Sequence, residues 1–179
     1  VHNRFAVEEL TQLGLITLDG PNRATMLESV SQGTVIFTAH GVSPAVQQRA
    51  RERGLHIIDA TCPDVAKTHE LVRTLAEQGY QIIYIGKKGH PEPEGVIGEA
   101  PDAVSLVETV DDLDLLPPRV RSAKLLAVAT QTTLSQWDTR RLIAEICQRF
   151  PHARVHTEIC MATQVRQEAV ARMARGADL

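Results

Sequence analysis

Two cysteines of this chain follow short apolar runs that have the composition of buried strands. Cys62 lies in Asp59-Ala-Thr-Cys-Pro63 and Cys160 lies in Glu158-Ile-Cys-Met-Ala162. Thiolates hold iron–sulfur clusters, and a proline beside such a ligand stiffens its loop. Each cysteine alone is equally compatible with simple packing, but their shared position at strand ends favours ligation. Cys147 lies in the middle of a predicted helix among apolar residues, so we expect it to pack as a small hydrophobic residue.

Imidazole, carboxyl and hydroxyl groups follow other apolar runs. His40 and His90 each come after such a run and adjoin a glycine, which lets the backbone approach a bound group. Imidazole nitrogens that donate hydrogen bonds into a pocket favour an anion such as phosphate. Glu92 is either a solvated loop carboxylate or, if burial raises its pKa, a proton donor. Thr132 either lies beside a helix cap or offers a hydroxyl that binds substrate and passes on a proton.

Composition excludes several classes of protein. The chain has 179 residues, a net charge of −3, and 43% hydrophobic but only 3% aromatic residues, which fits one or two α/β units. Without a basic run or an aromatic series, nucleic acid is not an expected partner. The apolar runs are too short to cross a bilayer, so we expect no membrane association and a cytoplasmic location. Three widely spaced cysteines argue against a secreted disulfide scaffold.

The order of the apolar runs predicts parallel sheets flanked by helices. The runs are short and rich in β-branched residues, as in strands that are covered on both faces. Helical patterns follow most of them, with Asn3, Ser43, Pro63 and Ser135 as start signals. The pair Pro117-Pro118 predicts a surface loop. The predicted strands are Thr34–Ala39, Leu55–Ala60, Gln81–Gly86, Leu125–Ala129 and Arg154–Thr157, and the predicted helices are Arg4–Leu13, Pro44–Arg53, Pro63–Glu77 and Ser135–Phe150.

Six short motifs together resemble the family of 4-hydroxy-3-methylbut-2-enyl diphosphate reductases, the IspH/LytB family. They occur in the order typical of that family and at compatible spacing over the whole chain. The motifs are Val1-His-Asn-Arg4, Ala39-His-Gly-Val-Ser43, Asp59-Ala-Thr-Cys-Pro63, Gly89-His-Pro-Glu92 followed by Glu94-Gly95, Thr130-Gln-Thr-Thr-Leu-Ser135, and Ile159-Cys160 followed by Ala162-Thr163 and Arg166-Gln167.

The resemblance implies a reductive removal of an allylic hydroxyl that yields isopentenyl and dimethylallyl diphosphate. Ferredoxin or flavodoxin would supply the electrons to a [4Fe–4S] cluster. Cys62 and Cys160 would be two of its three thiolate ligands. Glu92 would deliver protons and Thr132 would assist it and contact the substrate. The diphosphate would be bound by histidines, namely His2, His40 and His90.

The resemblance also implies repeated small α/β domains with the site at the carboxyl ends of the strands, where the domains meet. Residues 1–61 would be the remainder of the first domain, 62–158 the second, and 159–179 the start of the third. The 179-residue chain alone is then expected to lack a full set of cluster ligands and to be inactive. Two alternatives remain open from the residues: a non-catalytic α/β module that binds a phosphorylated metabolite, and a zinc-dependent hydrolase. The histidine and cysteine spacing matches no common zinc motif.

Overall fold

A computed structural model of the chain describes residues 3–18, 20 and 22–174, in which helices and parallel strands alternate. A 3₁₀ helix spans Val110–Leu115. The strands are β1 (Thr34–Phe37), β2 (His56–Asp59), β3 (Gln81–Ile85), β4 (Val104–Val107), β5 (Leu126–Thr130) and β6 (Arg154–Val155). The helices are α1 (Arg4–Gln12), α2 (Arg23–Glu28), α3 (Pro44–Glu52), α4 (Pro63–Glu77), α5 (Pro91–Ile97), α6 (Pro118–Arg121), α7 (Gln136–Arg149) and α8 (Met161–Met173).

The strands form two separate sheets, and every pairing within them is parallel. β1 pairs with β2 from Thr34 opposite His56 to Phe37 opposite Asp59. The second sheet has the strand order β4-β3-β5-β6. The predicted α/β fold with parallel sheets flanked by helices is therefore confirmed. Since parallel strands end at one edge of a sheet, the residues after β3, β5 and β6 emerge on the same side.

Successive side chains of β3 point to opposite faces of the larger sheet, and each face is covered by an apolar layer. Ile82 and Tyr84 face α4 and α5, where they pack against Val72 and Val96. Ile83 and Ile85 face the opposite layer, which contains the 3₁₀ helix, α6 and α7. Both sides of the strand are fully buried, as expected for the centre of a parallel sheet. The smaller sheet has a core of its own, formed by Leu27, Val35, Phe37, Val42, Val46, Ala50 and Leu55.

Local sequence signals predicted the helix boundaries well. Helix α4 begins at Pro63 and ends at Glu77, as predicted, because proline at the first position loses no hydrogen bond. The Ser43 hydroxyl accepts a hydrogen bond from Val46 N and caps α3. Ser135 likewise caps α7, whose first turn carries the chain's only tryptophan, Trp137, with half of its surface exposed.

Three local expectations need correction. The expected loop at Pro117-Pro118 instead leads into α6, which buries Val120 completely in the core. Glu92, considered as a loop residue, lies instead in the first turn of α5, which begins at Pro91. Strand β4 was not predicted, since its four residues include a serine and do not form a continuous apolar run.

The sheets occupy residues 34–59 and 81–155, while the domain limits 1–61, 62–158 and 159–179 stay predictions. Within the described ranges, no helix combines the length and the apolar character needed to cross a membrane.

Candidate functional site

Backbone hydrogen bonds fix both strand-end cysteines beside other predicted site segments. Cys62 N donates to the carbonyl of Ala39, directly before His40, at 3.0 Å. Cys160 N donates to the carbonyl of Thr132 at 2.9 Å. The loops after β1 and β2 are thereby joined, as are those after β5 and β6. Each predicted ligand therefore lies at the carboxyl edge of its sheet.

Glu92 and Thr132 form the buried centre of the site. The Glu92 side chain is fully buried on the first turn of α5. Its Oε1 accepts a hydrogen bond from Thr132 N at 2.7 Å, and its Oε2 accepts one from Thr132 Oγ1 at 3.0 Å. The sequence left open whether Glu92 is a solvated loop carboxylate, and the structure excludes that interpretation. The pair joins the start of α5, beside His90, to the loop after β5, and the Thr132 carbonyl in that loop accepts from Cys160 N.

The surroundings of Glu92 favour its protonated form. Burial raises the pKa of this carboxyl group, and the two hydrogen bonds from Thr132 only partly oppose the shift. The buried Tyr84 lies on β3 beside it, and its hydroxyl has no hydrogen-bond partner among the described residues. Burial, followed by the charge of Glu92, raises the pKa of the Tyr84 hydroxyl as well. A buried carboxyl group with a raised pKa is suited to general acid chemistry.

The Glu92→Gln variant is expected to gain stability relative to wild type as the pH rises from about 4.5, the ordinary glutamic acid pKa. Above that pH the unfolded carboxyl group ionises first, so wild type loses unfolding free energy until the raised folded pKa is passed. Glutamine keeps both contacts with Thr132 and does not titrate. Urea unfolding of both proteins between pH 4 and 8 checks this expectation, and parallel stability curves over that range would contradict it.

His40 follows β1 of the smaller sheet and His90 follows β3 of the larger sheet, and their rings lie close together. Their ring centroids are 5.1 Å apart and the rings are perpendicular. His90 Nδ1 accepts a hydrogen bond from Glu92 N at 3.2 Å as the cap of α5, so its neutral ring carries the proton on Nε2. The Thr38 hydroxyl lies 3.4 Å from His40 Nδ1. Two imidazoles from different sheets thus meet in one place and can serve one anion.

Polar anchors hold the loop that carries His90. Gln131, a buried residue, accepts from Lys87 N at 2.9 Å through its side-chain oxygen. Asp112 contacts the Lys88 ammonium at 2.6 Å, and this contact is the main cause that lowers the pKa of Asp112 to about 2. Glu108 accepts from Lys88 N at 3.0 Å. The turn before α5 is therefore fixed from both neighbouring strands.

The two cysteines have the surroundings expected of thiolate ligands. Cys62 is the N-cap of α4 and makes no capping bond through its sulfur. Cys160 is the N-cap of α8, and its sulfur accepts a hydrogen bond from Thr163 N at 3.3 Å. Both are free and partly buried, and the positive end of a helix favours a negatively charged ligand group. This donor set fits a thiolate-bound iron–sulfur cluster.

The Lys67 ammonium senses charges from both cysteine loops. The Lys67 ammonium pairs with Asp64 at 2.9 Å, and this pair is the main cause that raises the Lys67 pKa. Cys62 and Glu158, which lies two residues before Cys160, contribute to the same shift. Among the described residues there is no group of three or more histidine, cysteine or acidic side chains that could hold a metal ion. Cys62 and Cys160 therefore stay the predicted cluster ligands within the described part of the chain.

The structure thus brings together six of the seven predicted site residues. His2 lies outside the described residues. Sequence reasoning missed the anchoring role of Gln131, although this residue belongs to the Thr130–Ser135 motif, and missed Tyr84, which lacked any motif. No sequence motif distinguished His69, whose side chain is buried. Local contacts connect the six residues that the structure does describe, which are His40, Cys62, His90, Glu92, Thr132 and Cys160.

Comparison with known proteins identifies the family. The family model described as LytB protein matches residues 1–179. The chain is 60% identical over its whole length to a 4-hydroxy-3-methylbut-2-enyl diphosphate reductase of Symbiobacterium thermophilum and 57% identical to that of Anoxybacillus flavithermus. It covers 60% and 56% of those relatives, respectively, so it spans little more than half of their length.

Solved structures give the same result. The E-1-hydroxy-2-methyl-but-2-enyl-4-diphosphate reductase of Plasmodium falciparum superposes with a TM-score of 0.87 at 36% identity, covering 98% of this chain and 54% of that one. A structure of (E)-4-hydroxy-3-methyl-but-2-enyl diphosphate reductase gives 0.79 at 31% identity, covering 97% and 59%. The resemblance inferred from the six motifs is confirmed. With its site motifs and fold in agreement, the chain belongs to the LytB family.

Proposed function

We propose that the protein containing this chain reduces 4-hydroxy-3-methylbut-2-enyl diphosphate to isopentenyl and dimethylallyl diphosphate. The named activity of the relatives and their high identity to this chain support the assignment. The observation that carries it is the buried contact of Glu92 with Thr132, placed between His90 on one side and Cys160 on the other. This arrangement supports a proton donor that acts between a proposed anion-binding group and a proposed metal ligand.

The reaction consumes two electrons and two protons. The C–O bond of the allylic alcohol breaks, one proton leaves with the hydroxyl group as water, and the other adds to carbon. A [4Fe–4S] cluster held in part by Cys62 and Cys160 would supply the electrons and polarise the departing oxygen when bound. Glu92 is assigned as the acid that protonates the leaving hydroxyl. Thr132 Oγ1, 3.0 Å from Glu92 Oε2, keeps this carboxyl group oriented and hands on its proton.

The histidines are assigned to the diphosphate. His90 presents its Nε2 hydrogen, because its Nδ1 accepts from Glu92 N. His40 approaches from the other sheet, and His2 is proposed as a third donor on the sequence resemblance alone. A diphosphate has enough oxygens to bind several imidazole donors, and such charge-assisted hydrogen bonds are stronger than neutral ones. Substrate binding would then hold the two units together at the same point.

Ferredoxin or flavodoxin is proposed as the electron donor, and a cytoplasmic location is proposed as well. Both rest on the family resemblance and on the three free cysteines, which suit a reducing compartment.

The full-length protein, reconstituted anaerobically with iron and sulfide, is expected to turn over the allylic diphosphate with reduced ferredoxin. Mass spectrometry of the products, isopentenyl and dimethylallyl diphosphate, tests this expectation. Tight diphosphate binding without turnover or colour would instead favour the non-catalytic binding module, and air-stable, chelator-sensitive hydrolysis would favour the zinc enzyme.

A further inference from the structure

His69 is a buried histidine that the proposed reaction does not use. It lies on α4, two turns after Cys62, and only 8% of its surface is exposed. Its Nδ1 lies 2.7 Å from Glu99 Oε1, and because a carboxylate only accepts, the ring donates this hydrogen bond. The Glu99 side chain is itself 6% exposed and has Arg73 at 3.7 Å from its other oxygen. Glu99 therefore fixes the orientation of the His69 ring.

Two glycines leave the space that the ring occupies. Gly41 directly follows His40, and a Cβ atom there would lie 2.8 Å from His69 Nε2. Gly95 lies on α5, and a Cβ atom there would lie 3.2 Å from His69 Cε1 and 3.4 Å from the backbone of Val42. Any larger residue at either position would have to displace the ring or the backbone. The His69 ring is thus packed between the turn that carries His40 and the helix that follows His90.

Other contacts hold α5 and its C-terminal cap against the helices beside the smaller sheet. Glu94 accepts from the Arg23 guanidinium at 2.5 Å and from Arg23 N at 3.2 Å. Gly98 lies so close to Ser43 that no Cβ would fit there without movement. Helix α5 begins at Pro91, so its distance from the His40 turn sets the 5.1 Å separation of the His40 and His90 rings.

We propose that His69 is a positioning residue that sets the separation between the His40 turn and helix α5, and with it the geometry of the diphosphate pocket. Its catalytic consequence rests on the proposed function, whereas the structural part concerns only where His40 and His90 lie. A cavity of about 180 Å³, lined by His69, Glu99, Arg73 and Gly41 among others, adjoins the ring. A ring released from Glu99 therefore has room to swing away, which would let the turn and the helix move.

The structural part is tested on the full-length apo protein with labelled histidines. Ring protons of His40 and His90 at the observed separation are expected to show a nuclear Overhauser effect in wild type. His69→Ala should abolish it, and the matched control His56→Gln should retain it, since His56 is an exposed histidine on β2. His69→Asn keeps a donor near the Nδ1 position and should restore part of the effect. An unchanged effect in a folded His69→Ala protein would overturn the proposal.

The catalytic part is tested on the reconstituted enzyme. His69→Ala is expected to lower kcat/KM by roughly 10- to 100-fold, because a displacement of about 1 Å can cost 100-fold, and the loss should fall mainly on KM. Gly95→Ala should lower kcat/KM in the wild-type background and have little further effect in His69→Ala, since the added methyl then meets no ring. If His69→Ala does not fold, His69→Asn and Gly95→Ala carry both tests.

Two outcomes separate this proposal from the proposed function. Additive effects of the two substitutions, or kcat/KM within about twofold of wild type in a folded His69 variant, would overturn the positioning role. Wild-type protein without reductase activity would instead overturn the proposed function. In that case the nuclear Overhauser effect between the His40 and His90 rings still tests whether His69 sets their separation.

Discussion

Replacing Glu92 with glutamine is expected to lower kcat of the full-length enzyme by about 10²- to 10⁴-fold, the usual contribution of a positioned general acid. Glutamine preserves the shape of the side chain and its contacts with Thr132, so the buried centre stays packed. Only the transferable proton is removed. Because the diphosphate is assigned to the histidines, KM and the affinity for inorganic diphosphate should change by less than about threefold.

The control for this prediction is Glu77→Gln, an exposed carboxylate at the end of α4. It should keep wild-type kcat. Single-turnover measurements separate loss of the chemical step from slow product release. A Glu92→Gln enzyme with near wild-type single-turnover rates would show that protons reach the hydroxyl group by another route, and Glu92 would then be a structural residue of the α5 turn.

Replacing Cys62 or Cys160 with serine is expected to remove the visible thiolate-to-iron absorbance of the reconstituted full-length protein and nearly all of its activity. Loss of a residue that only supports a metal ligand costs about 10- to 100-fold, so loss of a ligand should cost more. Each cysteine starts a helix at the carboxyl edge of a sheet, and no neighbouring side chain of the described chain completes a metal site in its place.

Cys147→Ser supplies the matched control. This cysteine lies within α7, away from the strand ends, and the variant should retain iron content, absorbance and turnover. Iron and acid-labile sulfide should be measured in all three variants beside their spectra. A Cys160→Ser protein with a full complement of iron and normal turnover would contradict the assignment of that sulfur as a ligand.

Much of this fold was readable from local signals, whereas the contacts that define the site were not. Pro63 and Gly79 bracket α4 because proline suits the first helical turn and glycine adopts the positive φ, 83°, that follows its end. The carboxyl edge of the sheets followed from the parallel pattern of apolar runs. Glu92 was predicted as a candidate, yet its burial depends on how α5 packs against β5, which no local pattern specifies.

The contacts of His69 could not be predicted from local sequence patterns. Its helical neighbours predicted only that it lies on α4, and its partner Glu99 lies in the turn after α5. The glycines that make room for its ring, Gly41 and Gly95, come from two different units. Gln131 is similar, since the backbone of Lys87 that it anchors belongs to the loop after β3, the neighbouring strand in the sheet. Contacts between units require the tertiary arrangement, because each partner alone has an ordinary local role.

Trp137 gives this chain a built-in optical reporter. Its indole lies on the first turn of α7, directly after the Thr130–Ser135 segment, with half of its surface in solvent. The neighbouring Gln136 side chain donates to Gln164 of α8 at 2.8 Å, so a hydrogen bond connects α7 to the helix capped by Cys160. Since indole emission shifts with solvation, a ligand-induced change around Trp137 would be measurable by stopped-flow fluorescence.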